Sequence, residues 1–196
     1  MIDLPDPPID HHITRFPVST VSNLAPFTAL ILSIVLILFF LIKFYVLELF
    51  LLRRVYGPTY INLDEINRRG FVNHHIAGGT KIIILIVGIF PFMAVAFGTA
   101  NFQTPFMRKI TMGDTLVVCA QILLGMFIFE LIYRAKMSPI SVAHHIGSVL
   151  VGQAAIVISI KEDRDASIEF VLCTVWGMTF RYIDIRRRIN NCPRSF

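Results

Sequence analysis

All six histidines of the chain occur as adjacent pairs, and two of these pairs lie where they could do chemistry. His74-His75 precedes a long apolar run, and His144-His145 lies inside another, whereas His11-His12 is interpreted as surface. Histidine transfers protons near neutral pH, and adjacent residues of a helix point about 100° apart. One ring of a pair can therefore face a substrate while the other bonds a neighbouring helix. The pattern leaves three uses open: acid–base catalysis, metal binding and structural hydrogen bonding.

Glu130 is the acidic residue that could work with these histidines. An ionisable group inside a membrane is costly and usually faces the interior of the bundle. We predict a catalytic site of Glu130 with His144 and His145, and substrate binding by His74 and His75, without a metal or a cofactor. All five residues are predicted to approach one another on the cytosolic half of the bundle. The structural alternative for Glu130 is an ion pair with Arg134, one turn along the same helix.

The sequence lacks the motifs of several membrane-enzyme classes. The HxxxH and HxxHH sets that hold two irons in desaturases are absent, as are HExxH, GxSxG and P-loop motifs. A bis-histidine haem, ligated by one histidine from each apolar-run pair, stays open as a further alternative because four-helix cores hold such groups.

The composition places the candidate residues in a membrane. The chain has 196 residues, of which 55% are hydrophobic and 16% charged, and its mean hydropathy is +0.69. A soluble domain of this size could not bury so much apolar surface. The net charge of +5 comes from short Lys/Arg clusters between apolar runs, which indicates membrane topology and no nucleic-acid partner. We therefore predict an all-α, multi-pass transmembrane helix bundle.

Four apolar runs are long enough to cross a hydrocarbon layer of roughly 30 Å. A fifth run, from Phe170 to Phe180, has only 11 residues and is short for a span. The chain then divides into a polar, extended N-terminal segment (1–23), a transmembrane domain (24–180) and a basic polar tail (181–196). The four long runs lie at 24–42, 82–100, 115–133 and 139–160.

Lys43 and Glu48 interrupt the apolar sequence after the first run. A charge at the bilayer centre costs about 2.5–3.5 kcal/mol on insertion scales, so we predict Lys43 at the end of a span, where its side chain reaches water. The alternative is one long tilted helix with both charges facing other helices. The polar segment 53–73, which contains the turn signal Gly57-Pro58, is predicted to be a loop.

The distribution of Lys and Arg predicts the orientation. Twelve of these residues lie in segment 53–81, the turn 134–138 and the C-terminal tail, which successive spans would place on one side of the membrane. Five lie in the segments on the other side. The positive-inside rule places segment 53–81 and the turn 134–138 in the cytosol, with the N-terminus in the lumen or exterior. Small residues at Gly147 and Gly152 allow close helix approach, which predicts a central position for the fourth helix.

Residues 129–152, FELIYRAKMSPISVAHHIGSVLVG, resemble the TLC family, which includes translocation-associated proteins, ceramide synthases and CLN-type proteins. The shared layout is a helix that ends in an acidic residue and Tyr, a Ser/Pro turn and an intramembrane His-His pair. Glu130, Tyr133, Ser138-Pro139 and His144-His145 match it, and residues 67–82 resemble the early His-bearing segment of the family.

The resemblance implies a protein of the endoplasmic reticulum or another endomembrane that acts on or senses lipids. Its partners would be membrane lipids and acyl-CoA, with acyltransferase-like chemistry at the His pair near the cytosolic face. Ceramide synthases carry two further aspartates that this chain does not match, so a non-enzymatic lipid-binding or membrane-homeostasis protein is the alternative. The family has six or more helices and the resemblance stops near Trp176, which predicts a partial, C-terminally truncated bundle.

Overall fold

The computed structural model describes residues 21–162, so the fifth apolar run and the basic tail lie outside it. Within this part, helices carry the fold and one small β-hairpin joins two of them. A 3₁₀ turn, Ala25–Phe27, opens the first helical region, and a π-helical stretch, Ile42–Leu51, lies in its middle. The remaining elements are α1 (Thr28–Leu41), α2 (Leu52–Tyr56), α3 (Pro58–Ile61), α4 (Glu65–Ala96), β1 (Pro105–Met107), β2 (Ile110–Thr111), α5 (Met112–Tyr133) and α6 (Pro139–Glu162).

Four helical regions are long and apolar enough to cross a membrane, which confirms the predicted multi-pass helix bundle. The chain is therefore an integral membrane protein. We call the end that holds α3 and the α5–α6 turn the basic end, and the opposite end, with the β1–β2 hairpin, the hairpin end. The four spans are Ala25–Tyr56, Glu65–Ala96, Met112–Tyr133 and Pro139–Val157.

The first span is one long helix. Lys43 lies within it and not at its end, which agrees with the alternative interpretation of a long helix whose charges face other helices. Its π-helical stretch explains why two charges can lie within it: residues five apart share a face when the helix closes i→i+5 hydrogen bonds. Lys43 Nζ lies 3.4 Å from Glu48 Oε2, and the Tyr133 hydroxyl of α5 donates to Glu48 Oε1 at 2.7 Å. Both charges are thereby satisfied inside the bundle.

We expect Glu48→Gln to lower the free energy of unfolding by about 2 kcal/mol, the value of a hydrogen bond to a charged group. The variant leaves Lys43 without its counter-charge and weakens the bond from Tyr133. Thermal unfolding of the purified protein in detergent measures the change. The double variant with Lys43→Met should recover part of the loss, because no unpaired charge then remains. A single variant as stable as wild type would contradict the pairing.

Most of the predicted loop 53–73 is helical, which corrects the sequence interpretation. Gly57, at φ 49°, makes the predicted turn, and α4 then begins at Glu65. A helix of 32 residues is about 48 Å long, whereas a hydrocarbon layer of roughly 30 Å needs only about 20 residues, so the polar first turns of α4 are not needed to cross it. The polar composition of 53–73 led to the loop prediction, but a helix outside the hydrocarbon layer does not need an apolar run.

The central helix is α5, and the prediction that α6 is central was wrong. The side chains of α5 are buried on nearly all sides, because α1, α4 and α6 all pack against it. Gly125 gives α1 close access, since a Cβ there would lie 2.7 Å from Val35. Gly152 lets α6 pack closely against α5, since a Cβ there would lie 3.0 Å from the Leu124 side chain. A Cβ at Gly147 would meet no atom within 4 Å.

The hairpin end is held by Asp114, in the first turn of α5. Its carboxylate accepts hydrogen bonds from the Ser22 hydroxyl at 2.7 Å and from the backbone N–H of Asn23 at 2.9 Å. It also completes a capping box with Thr111. Val21 and Ser22 are fully buried, so residues 21–23 are fixed against α5 and the predicted extended segment does not include them.

Candidate functional site

The α5–α6 turn brings Glu130 and the second His pair together. The two helices run antiparallel, with Glu130 in the last turn of α5 and His145 in the second turn of α6. His145 Nε2–H donates to Glu130 Oε2 at 3.0 Å, and both residues are buried. The predicted proximity of Glu130 to this pair is therefore confirmed.

Glu130 also makes the ion pair that was its structural alternative. Arg134 Nη1 donates to Glu130 Oε1 at 2.7 Å, so each carboxylate oxygen has a separate partner. The arginine keeps the carboxylate in place, and a single charged carboxylate serves both neighbours. The two interpretations of Glu130 are thus compatible.

His145 has one ring nitrogen that is used and one that is not. The residue is 7% exposed, and Phe127 packs against its ring with centroids 4.7 Å apart. Its Nδ1 is buried and has no hydrogen-bond partner among the described residues. Because the carboxylate accepts from Nε2, the neutral ring carries its proton there and Nδ1 presents a lone pair. A substrate proton could be taken up at this atom.

His144 lies beside the Glu130–His145 pair, which we call the dyad, and its side chain is more exposed than that of His145. Its ring meets Phe127 at 5.7 Å and His145 at 5.5 Å between centroids. His144 is half-buried, whereas His145 is buried against Glu130. The pair therefore addresses two directions, as the 100° spacing predicts.

The structure places His75 in a different cluster, which corrects the prediction that all five candidate residues meet. Its Nδ1 lies 2.9 Å from the Phe71 carbonyl and its Nε2 lies 3.0 Å from the Tyr56 hydroxyl. A carbonyl only accepts, so Nδ1 donates and Nε2 accepts from Tyr56. Both nitrogens are then occupied, and His75 has none left for Glu130 or a haem iron. His74 is exposed on α4.

Two polar contacts between helices were not predicted from the sequence. Gln153 of α6 donates to Gln121 of α5 at 3.1 Å, and Gln121 is fully buried with its Nε2 unpartnered in the described structure. The bond between Tyr133 and Glu48 is the other. The signal for the first was present, because glutamine is unusual within an apolar run, but the sequence could not show which two would meet.

Tyr60 lies in α3 at the basic end, outside the four membrane spans. Burial, and then the nearby Glu48 carboxylate, raises the pKa of Tyr60 above its ordinary value of 10.0. The phenol is therefore neutral at physiological pH and remains a hydrogen-bond donor. Within residues 21–162, no three acidic, cysteine or histidine side chains gather as a metal site.

Comparison with known proteins identifies no relative of this chain. No family model, curated protein or solved structure matches the chain. The function is therefore inferred from the arrangement of Glu130, His145 and their neighbours.

Proposed function

We propose that the chain is a TLC-type membrane protein that acts on lipids, with His145 as a general base oriented by Glu130. The observation that carries this proposal is the buried dyad: Nε2 of His145 lies 3.0 Å from the Glu130 carboxylate, and Nδ1 has no partner among residues 21–162. A buried polar atom without a partner costs about 1–3 kcal/mol in free energy. A bound substrate that donates a hydrogen bond to Nδ1 would remove this cost.

The chemistry follows the division of labour in other histidine–carboxylate pairs. The carboxylate fixes the ring in one tautomer and stabilises the imidazolium that forms when Nδ1 takes a proton. A lipid hydroxyl or amine that loses its proton to Nδ1 becomes a nucleophile toward an acyl group. An acyl-CoA thioester would supply that group: the new bond to the nucleophile forms as the acyl carbon–sulfur bond breaks, and the imidazolium returns its proton to the departing CoA thiolate. The products are an acylated lipid and free CoA, which is acyltransferase-like chemistry.

The substrate class follows from the surroundings of the dyad. Glu130 and His145 lie within membrane-spanning helices, near the end of α5 and the beginning of α6. A polar group of a lipid can reach this depth, whereas a large soluble substrate would have to displace the helices or the lipid around them. Lipids are therefore the proposed partners.

A non-enzymatic lipid-binding protein is the second candidate. The Arg134–Glu130–His145 chain of contacts also joins α5 to α6 and would stabilise the bundle without any reaction. The distinguishing experiment compares the lipid profiles of cells that lack the protein, express it, or express the His144→Ala/His145→Ala variant. Loss of a lipid product with normal amounts of folded protein supports catalysis, and unchanged lipids contradict it. The His11→Ala/His12→Ala variant is the matched control and should behave as wild type.

The proposed compartment is the endoplasmic reticulum or another endomembrane, with the basic end in the cytosol. The orientation is supported by the excess of Lys and Arg at the basic end. Engineered glycosylation acceptors test the orientation. Gln103→Thr turns Asn101 into an acceptor at the hairpin end, and Asp64→Thr does so for Asn62 at the basic end.

We expect the acceptor at Asn101 to be glycosylated and the one at Asn62 to stay unmodified. An acceptor introduced near residue 10 should also be modified, because the described part of the chain begins at the hairpin end, where Ser22 and Asn23 bond to Asp114. A shift in electrophoretic mobility that endoglycosidase removes is the measurement. Modification of Asn62 alone would reverse the proposed orientation.

A further inference from the structure

The β-hairpin between α4 and α5 lies at the edge of the membrane. It consists of β1 (Pro105–Met107) and β2 (Ile110–Thr111), and α5 begins at the next residue, Met112. The Met112 N–H donates to the Thr104 carbonyl at 2.9 Å, which ties the hairpin to the start of this helix. The 22 residues of α5 measure about 33 Å, close to the roughly 30 Å of a hydrocarbon layer, so α5 has little length outside that layer. The hairpin therefore lies at the level of the lipid headgroups.

The two faces of the hairpin have different surroundings. On the inner face, the half-buried Phe106 ring stacks on Phe90 of α4 with centroids 5.9 Å apart. On the outer face, Met107 and Ile110 are partners across the two strands and are 61% and 48% exposed. Side chains of directly opposed residues project from the same face of an antiparallel pair. The outer face therefore presents an apolar pair that the described part of the chain leaves largely uncovered.

Two basic residues form the tip of the hairpin, directly beside this apolar pair. Arg108 and Lys109 connect the strands, and both are exposed. Arg108 has φ 47°, a left-handed conformation that glycine adopts more readily. Segments that lie on a membrane combine cations with apolar side chains in this way, because the cations meet lipid phosphates while the apolar groups enter the acyl layer.

We propose that this hairpin docks on the phospholipid headgroup layer, with Arg108 and Lys109 on lipid phosphates and the Met107–Ile110 pair inserted at the top of the acyl chains. Such binding depends on buried apolar area together with electrostatic attraction, which anionic lipids strengthen. The inference does not depend on the chemistry proposed for the dyad, which lies at the opposite end of the bundle.

The position of the hairpin favours lipid over a protein partner. A span begins directly after β2, so the membrane around the bundle reaches the outer face without a further binding event. A protein partner would first have to displace these lipids from the apolar pair. Phospholipids also match both features of the surface, since each carries a phosphate above its acyl chains.

The test places a fluorescent reporter on the outer face by Met107→Trp. Trp176→Phe removes the single natural tryptophan from the same protein. The protein is reconstituted at one copy per nanodisc of phosphatidylcholine, with or without phosphatidylglycerol. We expect emission shifted to the blue of tryptophan in water, strong quenching by phospholipids with brominated acyl chains, and weak quenching by acrylamide in the aqueous phase. Phosphatidylglycerol should increase the quenching by brominated lipid.

The variant Arg108→Gly/Lys109→Gln, in the same reporter protein, tests the contribution of the charges. Glycine suits the left-handed conformation at position 108, so the hairpin should stay formed. The increase that phosphatidylglycerol produces should be lost, because the attraction to anionic lipid is removed. Arg53→Gln/Arg54→Gln is the matched control: it removes an adjacent, exposed pair of charges at the basic end and should keep the increase.

Water-like emission together with strong quenching by acrylamide overturns the inference, because the outer face would then lie outside the headgroup layer. A full response to phosphatidylglycerol in Arg108→Gly/Lys109→Gln also overturns it, and so does loss of that response in the control. Protection that appears only when two copies share a nanodisc assigns the face to a second copy and overturns the lipid assignment. None of these measurements reads the lipid turnover proposed for His145, so the two proposals fail separately.

Discussion

Glu130→Gln is expected to reduce lipid turnover nearly as much as His145→Gln, by about 10²–10⁴-fold, the usual contribution of a general base. The amide of glutamine can turn its NH₂ toward Nε2, which favours the ring tautomer with the proton on Nδ1. The base would then present a proton where it should present a lone pair. The measurement is the rate at which the product lipid, identified from the profiles above, accumulates in membranes that contain each variant.

Three comparisons separate this prediction from a purely structural effect. The variant with both substitutions should be no slower than either single variant, because two residues that act as one unit are not additive. Arg134→Gln removes the other partner of Glu130 but leaves the bond to His145, and should retain far more activity than Glu130→Gln. Full activity in Glu130→Gln, with turnover lost in His145→Gln, would remove Glu130 from the mechanism.

Gly113→Ala is expected to give the largest loss of stability, about 4 kcal/mol or more, on the scale of other severe core substitutions. A Cβ at this position overlaps the backbone carbonyl of Val21 and lies close to the Phe102 carbonyl. Backbone atoms cannot move aside as a flexible side chain can. Residues 21–23 would have to move away from α5, and the bonds from Ser22 and Asn23 to Asp114 would be lost.

The measurement is thermal unfolding in detergent, together with proteolysis of the N-terminal segment. Gly79→Ala is the matched control, since the same methyl group meets no atom within 4 Å there. Alanine also has the higher helix propensity, so this control should be neutral or slightly stabilising. A Gly113→Ala protein that unfolds at the wild-type temperature and resists proteolysis would contradict the close approach of residue 21.

The sequence by itself determined the class of the protein and the number of firm spans. Apolar runs of about 19 residues must cross the membrane as helices, because no water satisfies their backbone groups. It also placed Glu130 with the His144-His145 pair, since the short turn between α5 and α6 leaves the ends of two antiparallel helices side by side, and the structure showed that His145 is the partner. Chain connectivity fixes such a contact before any packing is known.

Only the tertiary structure decided which residues meet across helices that are distant in the chain. The i, i+5 pairing of Lys43 and Glu48 depends on a π-helical stretch, which a period of 3.6 residues does not predict. His75 turned to Tyr56 because α4 begins before the apolar run and places this histidine beside the end of the first span. Whether α5 or α6 is central depends on how three neighbouring helices bury their side chains together. Apolar patterning is nearly uniform around each helix in lipid, so the sequence carries little record of which face is buried.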